Sequence, residues 1–160
     1  MKVHSQTDVG LVRTLNEDAC RTGLLGENGA WAVVCDGMGG ANGGEIASET
    51  AVNSIEEQIL ASYEEDFKSE EMKLMLSTLI FHANSAVYDM AQENESLKGM
   101  GTTIVVAIVL DNVAHIAHAG DSRAYLLHNG NIMQITTDHS MVQELIKNGD
   151  LTVEQAKVHP

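Results

Sequence analysis

The sequence predicts an α+β fold, in which antiparallel strands pack against a separate group of helices. Three observations support this prediction. Apolar, β-branched runs of strand length precede and follow a central region, and both long segments with helical periodicity lie inside that region. Turn signals join neighbouring strands directly, which is typical of antiparallel sheets. A helix pair packed on stacked antiparallel sheets is the economical architecture for this order of elements.

The N-terminal region contains three candidate strands. Residues 2–8 alternate weakly between polar and apolar side chains and could form an edge strand. Residues 17–24 have the composition of a second strand. A turn over residues 26–29, which are Gly-Glu-Asn-Gly, then leads into the apolar run 31–35. Such a continuous run is typical of a buried strand.

Two helices are predicted in the central region. In the first, apolar side chains recur at every fourth position and share one face: Ala47, Ala51, Ile55 and Ile59. The second carries a longer apolar stripe, and Gly99 is a plausible end to this region. The members of that stripe are Met72, Met75, Leu76, Leu79, Ile80, Ala83, Val87 and Met90. We interpret these methionines as core residues.

Two further hairpins are predicted after the helices. Residues 103–110 form an apolar run, and Asp111-Asn112 can reverse the chain into residues 113–119. The second hairpin pairs residues 124–127 with residues 132–135 across Asn129-Gly130, a strong turn signal. Two short helices follow, because two pairs have the spacing of capping boxes, Ser140 with Gln143 and Thr152 with Gln155.

Length and charge limit the possible functions. A chain of 160 residues is long enough for one domain with a real core. Its 23 acidic and 9 basic residues give a formal charge of −14, which argues against nucleic acid or an anionic membrane as a partner. Without an apolar run of membrane-spanning length or a leader-like start, we expect a cytoplasmic protein. Cys20 and Cys35 are interpreted as buried free thiols.

Asp36 and the glycines that follow it are the most informative feature of the chain. The strand 31–35 brings one carboxylate to a rim where Gly37, Gly39 and Gly40 allow close approach of the backbone. Hard divalent cations favour such a mixture of carboxylate and carbonyl oxygens. A purely structural turn is the alternative that this motif alone leaves open.

Three other clusters carry candidate site residues. Arg13 precedes Glu17 and Asp18; its guanidinium matches phosphate geometry, but an ordinary surface ion pair with either acid is the alternative. Asp121 lies between two strands and is either a further metal ligand or a turn residue. His139, next to the possible helix cap Asp138, is either a proton shuttle or a surface histidine.

Three common nucleotide and hydrolase motifs are absent from the sequence. The glycine-rich stretch 37–44 lacks the Gly-Lys-Ser/Thr ending of a P-loop, and its spacing does not match a dinucleotide-binding fingerprint. Neither Ser48 nor Ser122 has the flanking glycines of a nucleophile elbow.

Taken together, these segments resemble the metal-dependent serine/threonine protein phosphatases of the type-2C, or PPM, family, in its compact bacterial branch. The resemblance follows the family's order and spacing over essentially the whole chain. It rests on Asp8-Val9-Gly10 with Arg13 and Asn16-Glu17-Asp18; Val34-Cys35-Asp36-Gly37-Met38-Gly39-Gly40 with Gly44-Glu45 and Ala47-Ser48; Gly101-Thr102-Thr103; Gly120-Asp121-Ser122-Arg123-Ala124-Tyr125; and Thr137-Asp138-His139-Ser140. The family fold implies a four-layer α-β-β-α sandwich of antiparallel sheets flanked by helix pairs.

The resemblance also implies a site and a reaction. The position of Asp36 bridges two manganese or magnesium ions, and the Gly37 carbonyl and the Glu17 carboxylate complete one of these metal sites. The position of Asp18 contacts bound water, that of Asp121 helps to bind a third ion, and that of Arg13 holds the substrate phosphate. In the implied reaction, a metal-bridging water attacks the phosphorus of phosphoserine or phosphothreonine. The implied partners are phosphorylated proteins, either kinase substrates or the kinase itself, in bacterial signalling.

Two departures from the family pattern matter. Met38 stands where some members carry a histidine proposed as the general acid. In addition, the family continues beyond the segment that matches residues 156–160 and supplies two further metal-binding aspartates there. We therefore expect residues 1–160 to be a type-2C phosphatase-like domain that is cut short after Pro160. A regulator that binds a partner without turnover is the alternative.

Overall fold

A computed structural model of the chain describes residues 1–39, 43–64, 67 and 69–156. The motif residue Gly40 and the segment 157–160, with Pro160, lie outside the described residues. The strands are β1 (Asp18–Leu25), β2 (Gly29–Met38), β3 (Gly101–Thr102), β4 (Ile104–Leu110), β5 (Val113–Ala119), β6 (Tyr125–His128) and β7 (Asn131–Gln134). The helices are α1 (Gly44–Ser62), α2 (Ser69–Glu93), α3 (Met141–Asn148) and α4 (Val153–Ala156).

One antiparallel sheet has the strand order β1-β2-β4-β5, and β3 pairs with the end of β2. Strands β6 and β7 form a separate hairpin. Both predicted two-residue turns are confirmed. Asp111 and Asn112 have φ angles of 47° and 67°, and Asn129 and Gly130 have 50° and 76°. Consecutive left-handed residues are what a tight hairpin turn with the right-handed strand twist requires.

The two long helices cover one face of this sheet. The predicted stripe of α1 is fully buried and packs with Trp31, Val33 and Cys35 of β2 in the main core. The stripe of α2 is confirmed over most of its length. At its C-terminal end Met90 is 37% exposed, and Ala91 occupies the buried position instead. The predicted antiparallel α+β architecture is therefore confirmed.

The opposite face of the sheet is not covered by these helices. Asp36 and Val34 of β2 project there, and Val34 is 48% exposed. The apolar run 31–35 predicted a buried strand, and full burial is confirmed only for its residues on the face covered by the helices, Trp31, Val33 and Cys35. The reason is that successive strand residues point to opposite faces, and both long helices lie on the same side.

Two predictions near the N-terminus need correction. Residues 2–8 form no strand: they are exposed, and no described strand pairs with them. Alternation alone cannot form a strand, because a strand is stabilised by its hydrogen-bonded neighbour. Cys20 is only partly buried, whereas Cys35 is buried as predicted, and both thiols are free.

The predicted capping box of Thr152 and Gln155 is complete, and at Ser140 the N-cap bond of the predicted box is present. Ser140 Oγ accepts the Gln143 N–H at 3.2 Å at the start of α3. Thr152 and Gln155 bond reciprocally, each side chain accepting the backbone N–H of the other, at 2.8 Å and 3.2 Å. Among the described residues, no helix is both long and apolar enough to cross a membrane.

Candidate active site

The antiparallel pairing of β1 with β2 brings two predicted site residues together. Asp18 is directly opposite Asp36 in the register. Opposite residues of antiparallel strands project from the same face, so the two carboxylates are neighbours. Asp18 is close enough to raise the pKa of Asp36.

Asp36 lies in an electrostatically unfavourable position for a carboxylate. Partial burial raises the pKa of Asp36, the charge and hydrogen bond of Asp18 raise it further, and so does the charge of Asp121. The positive charge of Arg13 opposes these effects. A carboxylate whose ionised form is disfavoured by neighbouring acids is suited to a bound cation.

Glu17 is held by contacts to its side chain and its backbone. Arg13 Nη1 donates to Glu17 Oε2 at 2.7 Å, so the structure contains the ion pair that the sequence offered as the alternative role of Arg13. The Glu17 carbonyl accepts hydrogen bonds from the Gly37 N–H at 3.0 Å and from Ser48 Oγ at 2.6 Å. Ser48 is buried at the start of α1 and is a supporting residue to which sequence analysis gave no role.

The glycines of the motif permit a close approach of three backbone segments. A Cβ on Gly37 would overlap the Gly44 carbonyl and lie 2.6 Å from the Glu17 carbonyl oxygen. A Cβ on Gly44 would collide with Glu17 Oε1. The N-terminus of α1, the end of β2 and the start of β1 can meet here only because these positions lack side chains.

A cavity of about 270 Å³ opens between these elements. The residues that line it include Arg13, Glu17, Asp18 and Asp36, so four of the predicted site residues share one recess. The other lining residues are Asp8, Val9, Leu15 and Asn16. Asp121 does not line this cavity, although its charge acts on Asp36.

The segment 101–103 holds the backbone of Asp36 in place. The Asp36 N–H donates to Thr103 Oγ1 at 3.0 Å, and the Asp36 carbonyl accepts from the Thr103 N–H at 2.9 Å and from Thr102 Oγ1 at 3.0 Å. Thr103 Oγ1 also lies 2.7 Å from Ser122 Oγ. Both threonines occur in a motif quoted for the resemblance, but their contact with Asp36 is tertiary and has no local sequence signal.

Asp138 and His139 lie away from this cavity. Asp138 is not a helix cap, since Ser140 fills that role; it accepts hydrogen bonds from Arg123 Nε at 2.8 Å and Arg123 Nη2 at 2.6 Å. These bonds hold the pKa of Asp138 below its usual range. The ring of His139 stacks on that of His118 with a centroid separation of 4.3 Å. Neither residue lines the recess that contains Asp36.

The donor set fits a hard cation in chemistry but is small in number. Carboxylates such as Asp18 and Asp36 are the ligands that Mg²⁺ and Mn²⁺ prefer. Within the described ranges, no group of three or more His, Cys, Asp or Glu side chains is arranged to hold a metal ion. Most of the coordination shell of an ion held by these residues would come from other groups, such as water.

Comparison with known proteins identifies the family. Residues 12–153 match the model of the family described as Protein phosphatase 2C. The chain belongs to this family. It is 37% identical to the serine/threonine phosphatase stp of Listeria welshimeri over 163 aligned positions, which include all of this chain and 63% of the relative. Protein phosphatase PhpP of Streptococcus pneumoniae is 36% identical and is covered over 64% of its length.

Solved phosphatase structures have the same fold. Stp1 from Staphylococcus aureus superposes with a TM-score of 0.87 and 39% identity, over 97% of this chain and 60% of that protein. The catalytic domain of PstP, a structure containing two manganese ions, gives a TM-score of 0.75 and 34% identity over 94% of this chain and 61% of that one. The chain therefore spans a little under two thirds of the length of these relatives.

Proposed function

We propose that this chain carries the phosphate-binding and cation-binding residues of a metal-dependent phosphoprotein phosphatase that acts on phosphoserine and phosphothreonine. The observation that carries the proposal is the single recess that contains Arg13, Glu17, Asp18 and Asp36. It combines crowded carboxylates, which attract cations, with a guanidinium, which attracts phosphate. Membership of the protein phosphatase 2C family supports the same assignment.

In this proposal Asp36 is the central cation ligand, with Glu17, Asp18 and the Gly37 carbonyl as further contributors and Asp121 at a third, outer position. Mn²⁺ or Mg²⁺ ions bound there would lower the pKa of a coordinated water and neutralise phosphoryl charge. A manganese-containing structure of the related PstP domain supports the choice of ion. Two or three ions are proposed for a complete domain.

Arg13 is proposed to bind the substrate phosphate. Its guanidinium is at the recess, and within the described part of the chain it carries a single ion pair, from one nitrogen to Glu17. Two-thirds of the Arg13 side chain is exposed, at 67%. The guanidinium of Arg13 therefore has further N–H groups that can donate hydrogen bonds to two phosphoryl oxygens, while Glu17 orients it. The acidic chain as a whole would repel phosphate, and the guanidinium of Arg13 offsets this repulsion at the recess.

The proposed partners are phosphorylated proteins, either kinase substrates or a kinase itself. The names of the relatives support the class of substrate, since they are called serine/threonine phosphatases. The chain's charge of −14 fits a protein partner better than a nucleic acid.

The test measures phosphate release from a phosphothreonine peptide and from para-nitrophenyl phosphate as MnCl₂ is titrated. We expect turnover that requires Mn²⁺ and falls at least about a hundredfold in Asp36→Asn, as for loss of a central electrostatic group. Asp89→Asn, at an exposed position on α2, is the matched control and should be unchanged. Metal-independent turnover, or equal rates in Asp36→Asn and the unmodified protein, would contradict the proposal.

The same samples distinguish the phosphatase from the alternative, a regulator that binds a partner without turnover. The small number of metal ligands in the described residues is the observation that keeps this alternative open. Fluorescence anisotropy of the labelled phosphopeptide would show binding that depends on Arg13. Binding without phosphate release at any Mn²⁺ concentration would favour the regulator.

A further inference from the structure

Two hydroxyl groups connect the elements that carry Asp36 and Asp121. Asp36 lies near the end of β2 and Asp121 follows β5, and these strands are separated in the sheet by β4. Thr103, immediately before β4, lies between them. Its Oγ1 atom accepts the Asp36 N–H at 3.0 Å and is 2.7 Å from Ser122 Oγ. One side chain thus contacts Asp36 and the neighbour of Asp121.

The Asp36 end of this link is fixed on both sides of the residue. Besides the bond from its N–H, the Asp36 carbonyl accepts the Thr103 N–H at 2.9 Å and the Thr102 hydroxyl at 3.0 Å. Thr103 is only 5% exposed, so water has little access to compete for these bonds. Residues 102–103 therefore hold the backbone of Asp36 from the side opposite β1.

The Asp121 end is fixed by close packing as well as by the hydroxyl. Gly120 has a φ of 101°, and a Cβ there would lie 2.7 Å from Thr103 Cγ2 and 2.9 Å from Thr103 Cβ. The His139 N–H donates to the Gly120 carbonyl at 2.9 Å from another segment. The loop that carries Asp121 thus lies directly against Thr103, at a position where only glycine fits without strain.

We propose that Thr103 and Ser122 are positioning residues, whose hydroxyl pair sets the separation of Asp36 and Asp121 before a cation binds. This inference rests on the proposed function, since it concerns the same carboxylates. Two neighbouring carboxylates repel each other and would separate if they were free to move. Holding them in place beforehand removes part of the cost of assembling the site around an ion.

The test measures Mn²⁺ binding by the chain, from the electron paramagnetic resonance signal of free Mn²⁺. We expect Ser122→Ala to raise the Mn²⁺ dissociation constant about two- to tenfold, which corresponds to one hydrogen bond. Thr103→Val should weaken binding at least as much. Adding Ser122→Ala to Thr103→Val should have no further effect, because the link is already broken. Ser122→Thr keeps the hydroxyl and should restore binding to within about twofold.

A matched control separates this role from general loss of stability. Thr136 is also buried, and its Oγ1 accepts the Ala124 N–H at 3.1 Å without a bond to Asp36. Thr136→Val should leave Mn²⁺ binding unchanged. A second readout needs no metal: amide hydrogen exchange of Asp36, followed by NMR, should be faster in Ser122→Ala and normal in Thr136→Val.

The inference is overturned if Ser122→Ala changes neither Mn²⁺ binding nor Asp36 exchange, if Thr136→Val weakens Mn²⁺ binding equally, or if the effects of Thr103→Val and Ser122→Ala simply add. It is also overturned if the unmodified chain does not bind Mn²⁺. Failure of the proposed function has a different signature. Normal Mn²⁺ binding with no phosphate release from either substrate contradicts the phosphatase and leaves the hydroxyl link intact.

Discussion

The two cysteines differ because they lie on opposite faces of the same sheet. Cys35 is opposite Ala19 on the face covered by the helices, and Cys20 is opposite Val34 on the other face. Burial raises the pKa of the Cys35 thiol to about 12, and a hydrogen bond with Thr102 only partly offsets this effect. The reactive thiolate is therefore scarce at Cys35.

Iodoacetamide at pH 8 should label Cys20 in the folded protein and should label Cys35 only in urea. Mass spectrometry of the peptides measures the labelling at each cysteine. Equal labelling of the two cysteines in the folded protein would contradict this prediction.

The local structure at Gly37 requires a residue without a Cβ. A Cβ there would overlap the Gly44 carbonyl, and backbone on both sides prevents relaxation. Gly37→Ala should lower the free energy of unfolding by about 2 kcal/mol or more, measured by urea denaturation. Gly101→Ala is the control, since its Cβ would meet only the Met38 side chain at 3.7 Å. Equal stability losses in the two variants would show that the close approach at Gly37 is not tight.

At the scale of elements, Asp138 ties the β6–β7 hairpin to the segment that follows it. Arg123 precedes β6, Gln134 ends β7, and both donate to the Asp138 carboxylate. The hydrogen bonds from Arg123 lower the pKa of Asp138. A carboxylate with a lowered folded pKa stabilises the protein above its unfolded pKa of about 3.9, and this contribution is lost as the pH falls through the folded value.

Asp138→Asn should therefore reduce the free energy of unfolding at pH 7 and have a smaller effect at pH 3, where part of the wild-type contribution is already lost. Urea denaturation at the two pH values measures the difference. Asp89→Asn, exposed on α2, should show no such pH dependence. A variant that is equally destabilised at both pH values would mean that Asp138 acts through packing and not through its charge.

Elements with local signals were predictable from sequence, and those that need a distant partner were not. The turns at Asp111-Asn112 and Asn129-Gly130 and the cap at Ser140 depend on neighbouring residues, and all are confirmed. Residues 2–8 failed because strand formation depends on a partner far along the chain. The contact of Thr103 with Asp36 and Ser122 was missed for the same reason, since it joins three segments that are distant in sequence.

At the scale of the whole molecule, the candidate site collects charge from separate parts of an already acidic chain. The net charge is −14, and the charges of Asp18 and Asp121 both act on Asp36 at the end of the sheet. Sequence motifs identified these acids individually. The repulsion that Asp18 and Asp121 exert on Asp36 follows only from the register of β1 with β2 and from the path of the chain after β5. Stability and cation binding should therefore oppose each other at this site.

Asp36→Asn tests that opposition in the metal-free protein. Burial, then Asp18 and Asp121, raise the pKa of Asp36, with Arg13 acting in the other direction. A group with a raised folded pKa favours the fold most at pH below its unfolded value of about 3.9, and this contribution is lost as the pH rises through the folded value. At pH 7 in EDTA the charged Asp36 is therefore unfavourable, and Asn removes that charge while keeping the shape.

We expect Asp36→Asn to have a higher urea midpoint than the unmodified protein at pH 7 in EDTA, and the difference to shrink at pH 3, where Asp36 is protonated. With MnCl₂ at pH 7 the order should reverse, because a cation that binds only the folded state stabilises only the protein that retains its ligand. A lower midpoint for Asp36→Asn in EDTA would show that the carboxylate contributes favourably without metal. In that case the acids around Asp36 would have a structural role, and they would not be a cation site that lowers the stability of the metal-free protein.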